Sequence, residues 1–167
     1  YNKRNAASDL KLEIERLKEQ GVEGLVLDLR NNGGGSLQTV VDMGGLFIKD
    51  GPIVQVKTAG EEKDVLADKD RSIAWDGPLV ILVNELSASA SEILAADMQD
   101  YKKELVIGSK HNNGKGTVQN ISCLHRMLRI IHNRDMGALK CTTYKFYRLT
   151  EAYKTLEGIK RYVVCPD

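Results

Sequence analysis

Serines alternate with alanines in Ser87-Ala88-Ser89-Ala90-Ser91-Glu92, and a lysine between two glycines follows in Gly114-Lys115-Gly116, with Gln119 four positions further on. A serine hydroxyl is a poor nucleophile at neutral pH and needs a base to take its proton. Lys115 is the candidate for that base. His111, His125 and His132 lie in polar or irregular surroundings, and none has the adjoining carboxylate pattern of a serine-histidine-aspartate site. The chemistry these residue types point to is acyl transfer to a serine, with an amine as proton acceptor. That role requires Lys115 to be buried near the nucleophile, so that its pKa falls and a neutral amine is available.

Each of these residues also has an ordinary structural use. Ser89 followed three positions later by Glu92 is a capping box, in which the hydroxyl and the carboxylate satisfy free amides at a helix start. The same address suits a nucleophile, because helix N-terminal amides favour negative charge developing on a reacting oxygen. Residue types alone leave Ser87, Ser89 and Ser91 equivalent. A lysine between glycines is ordinarily a solvated turn residue. Gly33-Gly34-Gly35 after an apolar run is either a flexible turn or an anion-binding turn. A dinucleotide fingerprint is excluded, since Gln38 stands where its third glycine belongs. A P-loop is excluded too: five residues separate Gly108 from Gly114, and Gly116 follows Lys115 where Ser or Thr is required.

The elements that must position these residues follow from periodicity. Leu10, Ile14 and Leu17 fall on one helical face before Gly21, which predicts a helix from about Ala6 to Gln20. The run from Gly24 to Leu29 predicts a strand covered on both faces. Ser36 then caps a second helix whose apolar face is Leu37, Val40, Val41 and Phe47. Further strands are expected at Ile53 to Val56, Leu79 to Val83 and Leu105 to Ile107, with residues 60–72 as connection and a third helix from Ala88 to Tyr101. This alternation predicts an α/β fold with a mostly parallel sheet. Beyond Gly116 come shorter β-like pieces at Thr117 to Ile121, Met127 to Ile131 and Leu139 to Arg148.

Composition bounds the partners. Twenty-four basic and twenty-three acidic residues leave a net charge of +1, without a basic stripe, and the aromatics are only one Trp, six Tyr and two Phe. No electrostatic footprint for nucleic acid is present. Cys123, Cys141 and Cys165 are odd in number and widely spaced, which predicts free buried thiols and neither a disulfide framework nor a zinc site. No metal or other cofactor is expected. No apolar run reaches the length of a membrane span, and Tyr1-Asn2-Lys3-Arg4 lacks a signal-peptide core. No repeat or linker divides the 167 residues, so one domain is expected.

Leu27 to Gly35, Ser87 to Ile93 and Gly114 to Gln119, in that order, resemble the three signature segments of the C-terminal processing (tail-specific) proteases. Met98-Gln99-Asp100-Tyr101 and Val163 to Asp167 are similar as well, so the likeness runs over roughly residues 9–167. The resemblance implies a ClpP/crotonase-like spiral core with a β-rich C-terminal part, and a serine endopeptidase acting on polypeptides near their C-termini. It implies Ser89 as nucleophile, Lys115 as general base, Gln119 as the residue orienting the lysine, and an oxyanion hole of the Ala90 and Gly35 amides. It further implies an exported enzyme of the periplasm or cell envelope, with 1–167 as the protease core of a larger PDZ-containing protein. Two departures stand out: His111-Asn112-Asn113 replaces the family's Thr and aromatic before the lysine, and Asp97 replaces a small apolar residue in the third helix. Two other functions fit the same segments, a silent peptide- or ligand-binding relative and a hydrolase of thioesters or other acyl compounds.

Overall fold

A computed structural model describes residues 5–58, 60–109, 114, 116–124, 137–149 and 163–164. Helix α1 (Ala6–Glu19) starts where the Asn5 side chain accepts from the Ala7 amide at 3.0 Å, and it buries Ile14. Strand β1 (Leu25–Asp28) leads through the glycine triplet to α2 (Leu37–Gly45), whose cap is Ser36 accepting from the Thr39 amide. Phe47 is buried but lies just past the end of that helix. A hairpin of β2 (Gly51–Thr58) and β3 (Lys63–Asp68) precedes β4 (Leu79–Val83), α3 (Ala90–Asp100) and β5 (Leu105–Gly108). Strands β6 (Thr117–Cys123), β7 (Ala138–Tyr147) and β8 (Val163–Val164) complete the described elements.

Two sheets result. One is parallel, in the order β1-β4-β5-β8, and the other is antiparallel, in the order β3-β2-β7-β6. The helices and β2 meet the inner face of the parallel sheet in a single core that includes Ile81, Val83, Val106, Val40, Phe47 and Leu94. Helix α3 is the centre of this arrangement. It packs against α2, β2 and β5, and every residue from Ser91 to Met98 is buried. A helix buried on all sides must bury whatever polar residues it carries. Gly108, at the end of β5, reflects the same tightness, since a Cβ there would lie 2.3 Å from the Val83 carbonyl oxygen.

Three expectations from the residues differ from what is observed. Residues 60–72 were expected as connection, yet Lys63–Asp68 form a strand. The run is polar because β3 is a sheet edge, where charged side chains block further pairing. Strand β1 is covered on one face only, with Val26 66% exposed, so its apolar run does not signify burial on both sides. Cys123 is exposed and Cys141 only partly buried, because both stand on the antiparallel sheet outside the core. The β-like piece expected at Met127 to Ile131, and Cys165, lie outside the described residues.

Candidate active site

The chain leaves β4 at Val83, turns through residues 84–88 and enters α3 at Ala90, which leaves Ser89 on the turn itself. Ser89 has φ 56° and ψ −115°, a left-handed conformation for a residue with a side chain. Holding such a residue costs about 1–3 kcal/mol and persists only where the surroundings impose it. A serine on a sharp strand-to-helix turn is the geometry that lifts a nucleophilic hydroxyl clear of its own backbone.

The flanking serines impose that geometry. Ser87 is fully buried, accepts from the Asn84 amide at 2.9 Å and donates to the Leu29 carbonyl at 2.8 Å. Ser91, 4% exposed, donates its hydroxyl to the Asn32 carbonyl at 3.0 Å. Both hydroxyls are therefore spent in tying the serine turn to the glycine loop. The Asn32 carbonyl also accepts from the Ala88 amide at 3.0 Å, and Asn31 exchanges two 2.8 Å bonds with the Asn84 side chain. The structure thus separates three serines that look alike in sequence.

This stitching brings the glycine triplet onto the head of α3. Gly34 has φ 99°, and a Cβ on it would sit 2.7 Å from the Ser89 Cβ and 2.9 Å from the Ala90 nitrogen. Only glycine permits that approach. Gly34 spends its amide on the Asn32 side chain at 3.0 Å, and a Cβ on Gly35, beside it, would meet nothing within 4 Å. Ala90 is the first residue of α3, where the amide has no acceptor within the helix. Gly34, Gly35 and Ala90 also border one cavity of about 90 Å³, whose walls include Leu29, Val40 and Met43. The importance of Gly34 was missed in the sequence, where the triplet gives no means of ranking its members.

Glu92 completes the turn. Its Oε2 accepts from the Ser89 amide at 3.0 Å, the carboxylate half of the expected capping box. Its Oε1 accepts from the Gly114 amide at 2.6 Å, a contact nothing in the capping pattern foretells. Lys115 itself and all three histidines lie outside the described residues. Both neighbours of Lys115 are buried, and the Gly116 carbonyl accepts from the Phe146 amide of β7 at 3.1 Å. Gln119 is exposed on β6, opposite Thr142 and directly after a register shift. Among the described residues no three His, Cys, Asp or Glu side chains converge to hold a metal ion.

The model of the family "Peptidase family S41" matches residues 1–164. The chain belongs to peptidase family S41. The tail-specific protease of Haemophilus influenzae is 41% identical over 162 residues, or 95% of this chain and 23% of that protein. The carboxyl-terminal-processing protease of Synechocystis sp. is 41% identical over 118 residues, covering 70% of this chain and 27% of that protein. This S41 chain thus spans about a quarter of the length of these curated relatives. The solved structure of a photosystem II D1 C-terminal processing protease superposes with a TM-score of 0.78 at 28% identity, covering 99% of this chain and 40% of that one. The α/β architecture, a parallel sheet flanked by helices, is that of S41 structures.

The far end of α3 in this S41 chain is electrostatically different from its head. Asp97 is 1% exposed and neither carboxylate oxygen has a hydrogen-bond partner. Burial, reinforced by Asp100 and Glu104 and opposed by Arg148, pushes its pKa up to about 8. Glu104, also without hydrogen-bond partners for its carboxylate, is likewise pushed up to about 8, chiefly by burial. Arg148, just past β7, grips Asp100 through two nitrogens and also donates to the Gln99 side chain and the Ala96 carbonyl.

Proposed function

We propose that this chain is the catalytic core of a serine endopeptidase that cleaves polypeptides near their C-termini, with Ser89 as nucleophile and Lys115 as general base. The observation that carries the reading is the division of labour among the three serines. Ser87 and Ser91 are buried and committed to carbonyls, while Ser89 sits in the left-handed turn at the head of α3. The family, and the printed names of relatives as tail-specific and carboxyl-terminal-processing proteases, support the substrate class.

In this scheme the Ser89 hydroxyl attacks the scissile carbonyl carbon as its proton passes to the neutral Lys115 amine. The carbonyl oxygen, now an anion, is met by the Gly35 and Ala90 amides, where donors held in place beforehand do most for the transition state. Lys115 returns the proton to the departing amine, leaving an acyl-enzyme that water cleaves. Gln119 orients the lysine. The cavity bordered by Gly35 and Ala90 is small and largely apolar, which suits a small aliphatic side chain on the acyl side of the cut. On the family resemblance we also assign the enzyme to the periplasm or cell envelope, and residues 1–167 to one protease core. No helix among the described residues is long and apolar enough to cross a membrane.

Serine-to-alanine substitution tests the reading. Ser89→Ala should abolish peptide hydrolysis and labelling by a fluorophosphonate. Ser87→Ala and Ser91→Ala should each keep much of the activity per folded molecule while losing about 1–3 kcal/mol of stability through partners left unsatisfied. Equal losses of activity in all three would contradict the assignment. Turnover of thioesters but not peptides would keep Ser89 and change the substrate.

A further inference from the structure

Two of the hydrogen bonds that Glu92 makes to described residues belong to different parts of the molecule. The bond to the Ser89 amide is local, three residues away, and belongs to the helix start. The bond to the Gly114 amide, 22 residues away, does nothing for the helix. Gly114 immediately precedes Lys115, has φ 61° and is buried, and Gly116 on the other side is anchored through its carbonyl to Phe146. Glu92 is 6% exposed, so both bonds are made away from bulk water. Charge-assisted bonds of this kind are shorter and about twice as strong as neutral ones.

Resting on the serine-lysine reading, we infer that Glu92 is a positioning residue that sets the distance between nucleophile and base. One rigid side chain joins the strained Ser89 turn to the residue before Lys115, so neither can shift without the other. A carboxylate suits the task because both of its oxygens only accept, and both here face backbone N–H groups. Glutamine has the same shape but would turn an NH₂ donor towards one of those N–H groups and lose that tether. Displacing a catalytic group by about 1 Å can cost about 100-fold in rate. Glu92 needs no contact with the substrate for this, so substrate binding should be little affected.

The test compares Glu92→Gln with Ser89→Ala and Lys115→Ala, following kcat and KM on a peptide substrate, the rate of fluorophosphonate labelling, and Tm. The expected result for Glu92→Gln is kcat reduced about 100-fold with KM within about threefold of wild type, and labelling slowed in parallel. A role in helix capping alone would lower Tm and leave kcat per folded molecule unchanged, which overturns the inference. If Glu92→Gln does not fold, NMR of the wild type decides. The Ser89 and Gly114 amide protons should both resist exchange, and both resonances should move along one common carboxyl titration. Separate titrations, or a freely exchanging Gly114 amide, overturn it. Activity surviving in Ser89→Ala would refute the serine-lysine reading itself. Inactive Ser89→Ala and Lys115→Ala beside near-normal Glu92→Gln would refute only the tether.

Discussion

Glu92 and Asp97 are carboxylates on the same helix, 6% and 1% exposed, and they meet opposite fates. Glu92 stands in the first turn of α3, where helix amides are free and the dipole favours an anion, and two backbone amides satisfy it. Asp97 stands in the far half of the helix, where the neighbouring amides are engaged in the helix itself, and neither of its carboxylate oxygens has a hydrogen-bond partner. A helix can therefore bury an acid usefully only at its head. The head of α3 is built as a site, while its far half carries an electrostatic cost that Arg148 only partly offsets.

The contrast is broken most severely by removing that arginine. Arg148→Ala would leave Asp100 buried and unpaired beside Asp97 and Glu104, and loss of one partner of a buried pair costs roughly 3–5 kcal/mol. Urea unfolding should show that loss, while kcat per folded molecule stays near wild type. A matching fall in kcat would mean that the two ends of α3 are not separable.

The folded-state pKa values of Asp97 and Glu104 are raised to about 8, so between the ordinary carboxylate range and pH 8 the folded state holds more protons than the unfolded one. The contribution of these two groups to stability should therefore be fullest below about pH 4 and be lost as pH rises towards 8. Asp97→Ala, which restores a small apolar residue, should raise stability at pH 8 by about 1 kcal/mol or more, or roughly 2–4 °C in Tm, and do little at pH 5. Thermal melts at the two pH values check this, and an equal change at both would show that Asp97 is charged throughout.

Much of this was open to sequence reading. Ser36, the glycine triplet and the apolar runs of β1, β4 and β5 gave α/β order directly, because capping and periodicity are local properties. Strand β3 was hidden because an edge strand is selected for charge, and Val26 misled because an apolar strand residue does not report which face is covered. Within the site, the roles of Ser87, Ser91 and Gly34 could not be ranked, since each depends on contacts across more than fifty residues of chain. Glu92 was read as a capping residue, which is true of one of its oxygens and silent on the other.

The proposed reaction turns on Lys115 as its base, and peptide turnover by Lys115→Arg, normalised to folded protein, tests that role directly. Arginine keeps the charge and most of the length but cannot be deprotonated in a protein. Lys115→Arg should therefore be folded and inactive. A turn lysine with no chemical role would accept arginine with a stability change within about 0.5 kcal/mol and near-normal turnover, and that result would contradict the serine-lysine mechanism.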